Sequence, residues 1–223
     1  MKTIRFRFLL TFAALFLLSC SSTNPSADVV FSTVNIAPDC NNSTFNYSNE
    51  KGCDGKTYPN PVHSPYVIPF PPGTNFKTGL TNCSSSYHGV QYPDRYAFDF
   101  NVNEGTNFYA SRGGVIAYVK EDQSSQGGGS GNWVVINHLD NTFGIYLHSP
   151  KNGIAVKEGD TIQKGDLLGI TGRSGLAGYP HLHFIVTQND YRWPYDAIPI
   201  TFKNIIPADV IVKSYSSYKA CNY

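Results

Sequence analysis

The chain is 223 residues long and 41% hydrophobic, enough for one sizeable core with at most a small appendage. A formal charge of +1 with no clustered basic residues argues against a phosphate-tracking nucleic-acid groove. The 15 Tyr and 14 Phe, beside abundant Gly and Pro and without long runs of helix formers, argue against a helical bundle and for short strands joined by tight turns.

Residues 1–19 read as a secretory signal peptide. Lys2, Arg5 and Arg7 give a positive start, and the apolar run from Phe8 to Leu18 is too short to span a bilayer as a helix, which needs roughly 20 residues. The run ends Leu17-Leu18-Ser19-Cys20, which resembles a bacterial lipoprotein signal, with Cys20 as the lipidated new N-terminus; an ordinary signal peptide with an incidental Cys20 is the alternative. Removing residues 1–19 takes away three positive charges, so the net charge falls from +1 to about −2. Ser21 has no acidic character, and the expected location is the cell envelope, lipid-anchored at the outer membrane and facing the periplasm. Residues 20–64 are then a lipidated linker followed by an irregular, disulfide-pinned extension rich in Asn, Ser, Pro and Gly.

With Cys20 set aside, Cys40, Cys53, Cys83 and Cys221 form an even set in an exported chain, which suggests two disulfides. Three pairings are possible, and sequence alone does not choose; the expected one joins Cys40 to Cys53 and Cys83 to Cys221. No Cys-x-x-Cys pair supports a zinc site built from cysteine.

From Tyr66 onward the text becomes short β-type segments punctuated by Gly and Pro. Strands are expected over 96–102, 114–120, 133–138, 143–148, 160–163, 167–171, 181–187 and 198–202. The fold class is all-β, an antiparallel sheet, sandwich or partly open barrel, with no helix of any length. Within 96–102, Phe98 and Phe100 share one face and Asp99 the other, towards whatever polar site exists. Residues 123–131, with four glycines and three serines, are a flexible connection that could wall a substrate groove.

The chemistry gathers at Tyr179-Pro180-His181-Leu182-His183-Phe184, behind the turn Gly172-Arg173-Ser174-Gly175. Residues two apart on a strand face the same side, so His181 and His183 present two imidazoles together. Two neutral imidazoles and one carboxylate make a three-ligand set for Zn²⁺ with a fourth position left for water. No His-Glu-x-x-His helix supplies a general base, so that role falls to histidines outside the ligand set. His138, in an apolar strand, reads as a hydrogen-bonded core residue. Arg173, Asn132 and Tyr146 are candidates to line the groove.

Taken together, His88, Asp99, the segment Tyr146-Leu147-His148 and the pair His181/His183 resemble the lysostaphin-type zinc metallopeptidases, the LytM family of peptidoglycan endopeptidases. The resemblance covers roughly residues 65–203, read as the zinc metallopeptidase domain, with 204–223 as a C-terminal tail. It implies a duplicated hybrid motif type of β core, His88, Asp99 and His183 as zinc ligands, and His148 and His181 as the catalytic pair. The implied substrate is peptidoglycan, cut in its cross-links or stem peptides; the alternative is an inactive relative that binds peptidoglycan or activates an amidase. Two departures stand out. His88 and Asp99 are eleven positions apart where the family commonly has four, and Arg95 occupies the four-before position, so His88 would arrive on an inserted loop, Ser86-Tyr87-His88-Gly89, with His63 as the alternative. Ser149 also stands where the family usually has Leu.

Overall fold

A single residue-by-residue alternation sets the architecture. In the strand His181–Gln188, Leu182, Phe184 and Val186 enter one apolar cluster, while Ile185 enters a second cluster on the opposite face, the face that also carries His181 and His183. The computed structural model describes residues 47–124 and 126–223, all within one compact unit. The signal-peptide, Cys20 and Cys40 expectations therefore lie outside the described residues.

Twelve strands are described: β1 (Asn75–Thr78), β2 (Phe98–Asn101), β3 (Asn107–Tyr109), β4 (Gly114–Lys120), β5 (Asn132–Asn137), β6 (Thr142–Ser149), β7 (Thr161–Ile162), β8 (Leu167–Ile170), β9 (His181–Gln188), β10 (Asp196–Ala197), β11 (Ile205–Ile206) and β12 (Ser217–Ala220). The main sheet runs β11-β12-β1-β2-β9-β6-β5-β4-β7, with β10 also on β9, and β3 pairs β8 in a second, two-stranded sheet. Among the described residues every pairing between these strands is antiparallel, and the path does not close into a barrel. Among the described residues the only helical turns are the short 3-10 segments Pro61–His63, Ser86–His88 and Pro93–Tyr96.

The larger core lies under one face of the sheet. Phe98, Phe100, Val134, Ile136, Tyr146, Leu182, Phe184 and Val186 point into it from four adjacent strands, joined by Phe70, Phe76 and Phe202. Phe98 and Phe202 meet edge to face at 4.9 Å, a geometry that adds to plain area burial. The opposite face carries Val135, Ile145, Leu147 and Ile185, which cluster with Tyr58 and Tyr96 from two separate segments. The functional side chains stand on this second face.

Three sequence expectations need correction. Residues 198–202 form no strand: Pro199 has no N–H to donate, and after Ile198 N–H bonds the Val186 carbonyl the chain leaves the sheet while still burying Ile200 and Phe202. Residues 204–223 are not an appended tail, because β12 pairs β1 and β11 and buries Tyr218 and Ala220. Cys53 pairs with Cys83, their Cα atoms 5.6 Å apart, instead of Cys40 with Cys53 and Cys83 with Cys221. The fold places the 53–58 turn against the segment that leads into His88, while β12 carries Cys221 to the sheet edge beside β11.

Candidate metal centre

Strand register assembles half the site. β2 and β9 pair with Asp99 opposite His183 and Asn101 opposite His181, and β6 adds Leu147 opposite His183 on the other side. Asp99, His181 and His183 therefore share one face of adjacent strands, as period-2 alternation requires. Asp99 Oδ1 lies 2.9 Å from His183 Nδ1, 3.4 Å from His88 Nε2 and 3.6 Å from His181 Nε2.

His148 reaches the same face by a different device. Strict alternation would turn it away from Leu147's side, but its backbone adopts φ +78°, a left-handed conformation that a non-glycine residue enters only when its surroundings hold it there. Its ring then sits 4.7 Å from that of His181 and 5.8 Å from that of His183. What holds it is the Ser174 carbonyl, which accepts from His148 Nδ1 at 2.8 Å. That carbonyl can approach because the loops at 131 and 175 are glycine: a Cβ on Gly131, φ +74°, would lie 2.5 Å from the Ser174 oxygen.

His88 arrives on the 3-10 turn Ser86–His88, as the inserted-loop reading expected, and is 2% exposed. Its Nδ1 is buried without a hydrogen-bond partner, an arrangement costly unless another group joins. His63 is exposed at the end of its own 3-10 turn and has no place in the cluster. His138 is a buried core residue: Nδ1 donates to the Gly113 carbonyl at 2.8 Å, the ring packs edge-on against Tyr66, and burial pushes its pKa down to about 4.

Two groups of donors converge, with their ligand atoms within 4.8 Å of one another: His88, Asp99 and His183 in one, His148, His181 and His183 in the other. Electrostatics separate them. Burial opposes ionisation of Asp99, but hydrogen bonds from His183 and His88 outweigh it and hold the carboxyl far below the ordinary range, so this group contains a fixed negative charge. His148 is pushed down to about 3 by burial and by the neighbouring His181 and His183 rings; His181 is lowered as well, chiefly by burial. Both are neutral at physiological pH, and both have Nδ1 committed to a backbone carbonyl, Ser174 for His148 and Tyr179 for His181, each at 2.8 Å. Their Nε2 lone pairs are left for chemistry. Burial depresses His183 too, yet Asp94 and Asp99 override it and hold the ring up to about 10.

Asp94 is the residue that sequence reasoning missed. Its Oδ1 lies 3.6 Å from His183 Nε2, the side opposite Asp99, and Tyr195 donates its hydroxyl to the same oxygen. The only signal was its place in Pro93-Asp94-Arg95-Tyr96, five residues before Asp99. Two candidate groove residues turn out to be scaffold: Tyr146 is fully buried and accepts from the Ser111 N–H, and Asn132 is fully buried and bonds Gln123 and Ser149. Arg173 donates to the Gly178 carbonyl beside the cleft.

The site opens into a cleft of about 810 Å³, whose lining includes Gly129, Ser130 and Leu176 together with the aromatic side chains of Trp133, Tyr191 and Trp193. The glycine-rich 123–131 connection thus does form one wall, and Gln126 ties it to the 175–177 segment.

Residues 94–194 match the model for peptidase family M23. That match covers 101 of the 223 residues, so this region of the chain is similar to peptidase family M23. Curated relatives include an uncharacterized metalloprotease of Haemophilus influenzae, 34% identical over 39% of this chain and 17% of its own length, and the peptidoglycan DD-endopeptidase ShyA of Vibrio cholerae, 35% identical over 39% of this chain and 18% of its own. The matched part thus spans less than a fifth of those relatives. Among solved structures, the catalytic domain of the prophage-encoded M23 protein EnpA from Enterococcus faecalis aligns with a TM-score of 0.47 at 22% identity, over 60% of this chain and 94% of that one. Zinc is the cofactor of M23 peptidases. The donor chemistry here fits it: His88, Asp99 and His183 bring two imidazoles and one ionised carboxylate together, a buried donor set suited to a zinc dication.

Proposed function

We propose that this chain is a zinc-dependent endopeptidase that hydrolyses peptide bonds in peptidoglycan cross-links or stem peptides, with His88, Asp99 and His183 as the zinc ligands and His148 and His181 as the catalytic pair. The observation that carries the reading is the division of labour within one cleft: a charged donor set around Asp99, and two neutral imidazoles 4.7 Å apart whose Nδ1 atoms are each fixed by a backbone carbonyl.

Zinc, when bound, would supply a Lewis acid that acidifies water and polarises the scissile carbonyl. The rest falls to the chain. A neutral His148 or His181 accepts the proton of the attacking water at Nε2, and the imidazolium so formed donates to the tetrahedral oxygen or to the leaving amine. The backbone carbonyls of Ser174 and Tyr179 keep both rings in the tautomer that allows this. The open cleft, walled by an adjustable glycine-rich loop, suits an extended peptide. An inactive binding relative is disfavoured because all five candidate side chains are present and convergent.

We further propose that the domain is exported and tethered by lipid at Cys20 to the outer membrane, facing the periplasm. Digestion of purified sacculi, with fragments identified by mass, tests the activity: new peptide termini within cross-links or stems support it, and an undigested wall with zinc-loaded protein refutes it. Cys20→Ala should release the domain into the soluble fraction.

A further inference from the structure

Two carboxylates flank the His183 ring, one at each nitrogen. Asp99 meets Nδ1 at 2.9 Å, and Asp94 faces Nε2 at 3.6 Å, a charge contact longer than a direct hydrogen bond. Asp94 belongs to neither converging donor group; it lines the cleft with its carboxylate facing the Nε2 edge of the ring. Its own position is over-determined. It sits in the 3-10 turn Pro93–Tyr96, its carbonyl accepts the Ala97 N–H at 2.9 Å, and Tyr195 from the segment after β9 donates to its Oδ1. The adjacent Arg95 does not neutralise it, because that guanidinium is committed to Asp54 and Asp196, each at 3.0 Å.

We propose that Asp94, braced by Tyr195, is the positioning residue for His183: it attracts the Nε2 edge of the ring and so turns Nδ1 towards Asp99 and the metal position. Imidazoles that bind metals are commonly oriented by a carboxylate at their second nitrogen, and removing that partner typically costs 10–100-fold in metal affinity. The inference rests on His183 being a zinc ligand. Asp94 touches neither substrate nor metal in this account and acts through His183 alone.

The test uses the full-length mature protein. Zinc dissociation constants are measured by competition with a chromophoric chelator for the parent, Asp94→Ala, Asp94→Asn, Tyr195→Phe and His183→Ala, beside melting temperatures of the chelator-stripped proteins and the ¹⁵N shifts of the His183 ring. Asp94→Ala should weaken zinc binding about 10–100-fold, Asp94→Asn less, and Tyr195→Phe least, with a mixed tautomer at His183 in the Asp94 variants. Asp94→Asn keeps the shape of the side chain and serves where the alanine variant does not fold. If both Asp94 variants bind zinc as the parent does, whatever their melting temperatures, Asp94 is scaffold and the inference fails while the ligand set stands. If His183→Ala binds zinc as the parent does, the ligand set itself fails.

Discussion

The two halves of the site are built by different physics. Asp99, His181 and His183 stand on β2 and β9, central strands whose register fixes them and whose other faces fill the larger core with Phe98, Phe100, Leu182 and Phe184. His88 and Asp94 stand on two short 3-10 turns that lie over the sheet and are held by the Cys53–Cys83 disulfide, by Arg95 bridging Asp54 and Asp196, and by Tyr195 on Asp94. Moving a strand residue would break ladder bonds and core packing together; moving a turn breaks only its local braces. The sheet half should therefore be rigid and the turn half dependent on those braces.

The largest effect expected is at the histidine pair on β6 and β9, of which only His181 is placed by register. His148→Ala and His181→Ala should each lower turnover on a cross-linked wall peptide by about 10²–10⁴ while zinc content stays near one per chain, since neither is placed among the ligands. If both variants stay active, the division between ligand and proton-transfer histidines is wrong.

The next prediction probes the turn half. Cys53→Ser with Cys83→Ser opens a loop whose ends are 30 residues apart, worth about 3–4 kcal/mol on the loop-entropy model. Zinc affinity should fall through loss of His88's support, and the β2–β9 amides should keep their hydrogen-exchange protection. Loss of protection across both strands would show that the halves are not independent.

A smaller effect separates the site from the core beneath it. His138 is neutral in the fold, with its pKa pushed down to about 4 by burial, against an ordinary value of about 6.5. The depressed value means that its contribution to stability is complete above pH 6.5 and is lost as pH falls towards 4, about 3 kcal/mol in all. His138→Gln should flatten that part of the pH dependence relative to the parent in urea unfolding at pH 7.0, 5.5 and 4.5. Parallel curves would contradict the assignment.

How far the sequence could be read follows the same division. Asp99 and the His181/His183 pair were legible because they lie in strands, where a period of two residues states which side chains share a face. His148 was legible only by resemblance, since strict alternation would have sent it elsewhere and its φ of +78° is visible only in three dimensions. Asp94 could not be found: nothing in a Pro-Asp-Arg-Tyr turn says that its carboxylate faces the far nitrogen of a histidine 89 positions away. The C-terminal strands escaped because β11 and β12 are two and four residues long, too short for a pattern to establish itself. Residues 198–202 misled for the opposite reason: their apolar alternation serves burial, Phe202 against Phe98 and Phe184, while among the described residues their only backbone bond to the sheet is that of Ile198 N–H to the Val186 carbonyl.

The most direct test of the account is zinc per chain, measured by elemental analysis on purified His88→Ala, Asp99→Ala, His183→Ala, His148→Ala and His181→Ala after equal dialysis against a trace of free zinc. The account predicts that the first three lose most of their zinc, because a three-ligand site reduced to two retains little affinity, and that the last two keep about one zinc per chain. Full occupancy in His88→Ala and Asp99→Ala together with loss in His148→Ala and His181→Ala would place the metal among the three histidines instead and contradict the account.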